Sequence, residues 1–287
     1  MYDTLVNPSR KSLGKPIDKA IESVVKRDRI MILGALSIVV ALSWVYVLAG
    51  AGMDMSALEM TRMASGKAGM YMMTPAVWSL SYAALMFVMW WVMMVAMMSS
   101  SAAPVVLLFA AINRKQEEKG NPFVPTSIFV SAYLIVWAGF STVAVAVQWG
   151  LQRADLLSPA MESASMVLGG VLLLAAGVYQ LTPLKRACLN HCRSPLQFIL
   201  TRWRSGTSGA FRMGIEHGAY CVGCCWFLMG LLFFGGIMNL YWIAGLAVFV
   251  LLEKTIPRGH RAGYVVGIAL IFWGIALLAG ASVFRMN

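Results

Sequence analysis

Charge is scarce in this chain. Asp, Glu, Lys and Arg make up 12% of it, about half the share carried by a soluble domain, and that excludes an ordinary soluble globule. Cysteine is nearly as restricted: there are five, and none lies outside residues 188–225. So narrow a distribution does not make a disulfide framework. Nothing in the chain resembles a nucleotide fingerprint, a phosphate-binding loop or a Ser-His-Asp arrangement, which leaves an enzyme as the least supported functional class.

Apolar residues are abundant. Hydrophobic residues account for 60% of the 287 positions and the mean hydropathy is +0.74. Long apolar runs cover residues 30–52, 78–112, 126–151, 163–181, 213–234, 240–252 and 262–283. Most reach the roughly 20 residues that cross about 30 Å of hydrocarbon. The expectation is an all-α, polytopic transmembrane bundle of about seven spans, forming a single domain over residues 30–287. The sixth run is short, and Gly235-Gly236 before it marks either a tight hairpin or a re-entrant segment. Residues 1–29 form a basic segment that can make an amphipathic helix on an anionic leaflet. The first run is too long for a signal-peptide core and is read as an anchor.

The basic residues supply a second test of this topology. With the N-terminus in the cytoplasm, only Arg62, Lys67, Arg153 and Arg285 fall outside, and the other nineteen of the 23 Lys and Arg fall inside. That asymmetry follows the positive-inside rule. The net charge of +11 is thus topological, because the basic residues are spread over four cytoplasmic segments. Nucleic-acid binding would need one basic stripe interleaved with aromatics, so no nucleic-acid partner is expected.

The cysteines occur as Cys188-Leu-Asn-His191-Cys192, in the cytoplasmic loop 182–212, and Cys221-Val-Gly-Cys224-Cys225, within the fifth span. Two pairs separated by 28 residues have the form of a four-sulfur metal site. On a helix His217, Cys221, Cys224 and Cys225 share one stripe. A lone buried cysteine is ordinarily a small hydrophobe. Three in five positions, one turn after a histidine, favour ligands instead. His191 is a further candidate, with a solvated side chain as its alternative. Glu216 and Glu253 are carboxylates at a depth that requires a partner, and Glu253 is expected to pair at the interface. Arg186, Arg193 and Arg212 are available to offset the charge of metal-bound thiolates.

Methionine is over-represented, at 21 residues. The outside loop 53–74 carries Met53, Met55, Met60, Met63, Met70, Met72 and Met73. The second span presents Met86, Met89, Met93 and Met97 at helical spacing, with Met94 and Met98 on the adjoining ridge. Methionine is a common core filler, but a polar loop shows no burial demand for so many thioethers. Thioethers suit Cu(I), whereas zinc prefers thiolate, imidazole and carboxylate. Methionine outside and cysteine inside therefore favour Cu(I), with zinc as the alternative. The candidate metal ligands are Cys188, Cys192, Cys221, Cys224, Cys225, His217, His191, Met53, Met55, Met89, Met93 and Met97.

Gly259, Gly263 and Gly267, with Gly169, Gly170 and Gly177, mark close helix packing within a bundle or a homo-oligomer.

The stretches Trp90–Ser99 with Ala103-Pro104, Cys188–Pro195, Trp203–Gly206, Gly214–Trp226, Gly236–Asn239 and Glu253-Lys254 resemble a bacterial family of unknown function. Its members are described as predicted metal-binding integral membrane proteins. The resemblance covers residues 78–287 and implies a multi-pass bacterial membrane protein; with the basic asymmetry, the expectation is the inner membrane, N-terminus cytoplasmic and C-terminus periplasmic. It implies a metal but no substrate or reaction. Three functions follow: a copper-handling membrane protein that acquires, transfers or delivers Cu(I) to a copper enzyme; an accessory subunit of a larger membrane complex; or a membrane redox enzyme.

Overall fold

The computed structural model describes residues 9–53, 55–65, 77–120, 122–158, 161–257 and 259–286, with side chains described within 27–62 and 77–281. The described chain is helical, its β structure limited to one isolated bridge between Leu157 and Ser163. With so little polar side chain to satisfy a buried backbone, the helix, which bonds its own N–H and C=O groups, is the form this composition allows.

Eleven helices occur among the described residues: α1 (Ser9–Leu48), α2 (Ala57–Ser65), α3 (Leu80–Glu117), α4 (Thr126–Arg153), α5 (Met166–Leu181), α6 (Pro183–Arg193), α7 (Pro195–Arg202), α8 (Gly206–Gly230), α9 (Leu232–Gly235), α10 (Leu240–Thr255) and α11 (Gly259–Met286). Five stretches are long and apolar enough to cross a membrane: Arg27–Leu48, Leu80–Glu117, Thr126–Arg153, Gly206–Gly235 and Gly259–Ala281. A sixth arises if α5 and α6, bent by 65° at their junction, form one broken span. The expected count of about seven is therefore not reached by length and composition. The shortfall is α10, whose 16 residues extend about 24 Å.

Helix α3 is the central element, packing against α1, α4, α7 and α10, while α8 lies between α4 and α6. Ser79 caps α3 by accepting from the Tyr82 amide at 3.1 Å, and Ser165 caps α5 in the same way through Leu168. Helices α5 and α11 meet along glycines: a Cβ on Gly177 would lie 2.7 Å from the Gly267 carbonyl, and one on Gly274 would lie 2.8 Å from that of Gly170. These glycines serve contacts within the chain. Outward-facing apolar side chains remain exposed along the bundle, among them Ile38, Val143, Val265 and Phe272.

The segment after α1 does not stay in solvent. Gly50, Ala51 and Gly52 take positive φ angles of 92°, 53° and 85° and turn the chain back. A Cβ on Gly50 would sit 1.9 Å from the Met55 carbonyl, so only glycine fits that turn. Ser56 and Glu59 then form a capping box for α2: the Ser56 amide donates to Glu59 at 2.9 Å and the Glu59 amide to the Ser56 hydroxyl at 3.3 Å. The Ser56 hydroxyl also donates to the Glu59 carboxylate at 2.7 Å, and this bond, with the one from the Ser56 amide, holds the carboxyl below the usual range. Thr61 accepts from the Leu240 amide at 2.9 Å, tying α2 to the start of α10.

Met53 and Met55 are half-buried against the core and Met60 is buried. The expectation of a polar loop with no use for burial is corrected here, because the turn folds its first part onto the bundle. Met70, Met72 and Met73, the side chain of Met63, and the apolar face expected of residues 1–29 lie outside the described residues. The backbone of 9–29 is part of α1.

Gly235-Gly236 resolves as a tight turn. Gly236 has φ +94°, and α10 begins at Leu240 under an Asn239 cap.

Candidate metal centre

Two helices bring the thiols together. Thr182 precedes Pro183 and is held extended, with ψ 148°, because a residue before proline is excluded from the helical region. The chain swings at that point. Thr182 then caps the new helix by accepting from the Lys185 amide. The bend lays α6 across α8, and Cys188 and Cys192, one turn apart, face the same way. Gly223 makes room for Cys188: a Cβ there would lie 2.9 Å from the Cys188 sulfur.

On α8 the i, i+4 rows carry Met213, His217, Cys221, Cys225 and Met229, with Cys224 beside them, and all six are buried. The sulfurs of Cys192, Cys221, Cys224 and Cys225 are close enough to interact with one another. Cys188 is half-buried beside them, the other four are buried, and none of the five is in a disulfide. The thiols of Cys224 and Cys225 donate to the Cys221 carbonyl at 3.1 and 3.0 Å. They are thus parked on the backbone of their own helix. Among the described residues no three His, Cys, Asp or Glu side chains are grouped closely enough to hold a metal ion as they stand.

The Tyr133 hydroxyl lies 3.2 Å from the Cys221 sulfur and donates to the Met98 carbonyl. Lys254 reaches the same sulfur, its ammonium donating to Cys221 at 3.0 Å and to the Ser101 hydroxyl at 3.1 Å. Met98 closes the far side, its thioether 4.0 Å from the Cys225 sulfur.

His217 is packed among Phe129, Tyr133 and Phe198, and its Nδ1 has no hydrogen-bond partner among the described residues. An unsatisfied nitrogen beside a thiol cluster suits a ligand or a donor to one. His191 is not brought to the cluster. It stacks on Tyr220 at 4.1 Å and its Nδ1 is bonded to the Ala187 carbonyl.

The methionines of α3 continue the sulfur. Met86, Met89, Met93, Met94, Met97 and Met98 are all buried in one core with Cys221, Cys224, Cys225, Met161, Met229 and Met238. Gln148 ties two of them, its amide directed at the thioethers of Met86 and Met161 at 3.5 and 3.4 Å while its carbonyl accepts from Trp90. Met229, Met161, Met238, Tyr133, Ser101 and Lys254 did not emerge from the sequence as site residues. Met229 alone carries a readable signal, at i+4 from Cys225.

The arginines expected near the thiolates have other partners. Arg212, with Arg204 and Arg202, faces Glu216. Arg193 donates to the carbonyls of Ile256 and Pro257, and Arg186 lies over Tyr264. Glu253 is likewise buried within the bundle, with Lys185 donating to both its oxygens at 2.7 and 2.8 Å. Lys185 also donates to Gln180.

The donors present, four clustered thiols with an adjoining thioether column, are soft ligands, and they fit Cu(I) better than a harder ion. A family model described as PpoB2, copper chaperone, matches residues 87–277, a stretch that contains the cysteine cluster and most of the methionine column. No curated protein and no solved structure matches the chain.

Proposed function

Since the chain belongs to the PpoB2 copper-chaperone family, we propose that it is an integral membrane chaperone for Cu(I), which is its cargo. The observation that carries this is the meeting of the α6 and α8 thiols with Met98, at the end of a buried row of thioethers on α3. In this reading α2 and the start of α3 face the periplasm, where Met53 and Met55 receive the ion. Met89, Met93 and Met97 offer weaker sites on the way to the thiols, which hold the ion most tightly. In the same reading the apolar outer faces of the helices meet lipid and the α6–α7 end lies in the cytoplasm of a bacterial inner membrane, which the basic asymmetry supports. α10 crosses despite its length: its first residue bonds Thr61 of α2, and Glu253 near its end bonds Lys185 of α6. A copper enzyme is the partner that receives the ion.

The test is elemental analysis of the protein purified in detergent without chelator and under reducing conditions. Near-stoichiometric copper is expected, retained through gel filtration. Zinc in its place, or no metal after incubation with a Cu(I) complex, contradicts the proposal.

A further inference from the structure

Lys254 is 7% exposed, and among the described residues no carboxylate lies within ion-pair distance of it. Glu253, its neighbour in sequence, has both oxygens engaged by Lys185. A buried ammonium needs a compensating charge, the more so at membrane depth. Its two hydrogen-bond partners are the Ser101 hydroxyl and the Cys221 sulfur, and of these only the sulfur becomes anionic on taking up a metal. The site is thus built with one positive charge fixed against a sulfur that must hold the ion.

We infer that Lys254 is a specificity-determining residue, which makes the cysteine cluster discriminate between soft ions by valence and reject divalent ones. The inference rests on reading the cluster as a soft-metal site. The ammonium favours thiolate donors equally for every ion they take. Its repulsion of the bound ion grows in proportion to that ion's charge, so a divalent ion meets twice the penalty of a monovalent one. Liganding preference and charge therefore act in the same direction: soft donors select for sulfur affinity, and Lys254 selects within that class for a single charge.

Ag(I) and Cd(II) are the probes, because both are soft ions with the same closed-shell electron count and differ in charge. Competition binding to the detergent-purified chain gives the ratio of the two affinities. Lys254→Met should lower the Ag(I)-to-Cd(II) ratio by about 10- to 100-fold, and Lys254→Arg should keep it. Ser101→Asp supplies the same neutralisation with the lysine in place, so whichever of the two neutralised variants folds must show the fall. An unchanged ratio in a folded Lys254→Met or Ser101→Asp protein overturns the inference while leaving the cluster as a metal site. A wild-type chain that takes up neither ion overturns both.

Discussion

Glu253→Leu is expected to cost about 3–5 kcal/mol of stability, the usual penalty for leaving one member of a buried ion pair without its partner. Among the described residues Lys185 would keep only Gln180 as a side-chain partner, with its charge enclosed between α5, α6 and α10. Unfolding in mixed micelles, followed by tryptophan fluorescence, measures this directly. The double change Lys185→Met with Glu253→Leu removes both charges and should recover most of the loss, since apolar replacements of a buried pair are often neutral or stabilising. A double-mutant cycle with no coupling would show that the pair does not hold α6. The pair also bears on the metal site, because it pins the helix that carries Cys188 and Cys192 to the helix that carries Lys254.

The second large effect falls on metal binding and should spare the fold. Cys221→Ser with Cys224→Ser is expected to lower Cu(I) affinity by about 100-fold or more, above the 10- to 100-fold range seen when only outer-shell partners are lost. Serine preserves the hydrogen bonding at both positions. At 224 a hydroxyl can donate to the Cys221 carbonyl as the thiol does, and at 221 it can accept from Lys254 and meet Tyr133 as the sulfur does. It cannot act as a soft donor. Competition against a chromogenic Cu(I) chelator reads the affinity, and the unfolding transition, shifted by no more than about 1 kcal/mol, reads the fold. Retained affinity in the double variant would move the site away from α8.

These two effects also mark where the sequence is informative and where it is not. The stripe of His217, Cys221, Cys224 and Cys225 is visible because helical periodicity alone puts them on one face, and the structure buries all four. The membrane-length helices follow from hydropathy for the same local reason. Lys185 and Lys254 fall among the nineteen inside charges because each stands at the end of an apolar run. Hydropathy does not distinguish a charge that leaves the bundle from one that turns into it. The bend at Thr182-Pro183, which decides that for Lys185, is itself legible, but its direction depends on α8.

His191 shows the opposite failure. It is next to Cys192 in sequence, yet consecutive helical residues point about 100° apart, and the histidine is carried out of the cluster onto Tyr220. Met53 and Met55 looked solvated because nothing in their own segment is strongly apolar. Their burial comes from the turn at Gly50–Gly52, which returns α2 to the bundle. Met161 and Met238 sit in loops and join the core through Gln148 and the Gly236 turn, contacts that have no local periodicity.

The central claim, that the α6 and α8 cysteines hold cargo as Cu(I) on sulfur, is tested most directly by X-ray absorption at the copper edge on the loaded, reduced protein. The expected spectrum is that of Cu(I) in a shell made of sulfur alone, changed by Cys221→Ser with Cys224→Ser. A shell of nitrogen or oxygen, or a spectrum indifferent to those substitutions, would contradict it.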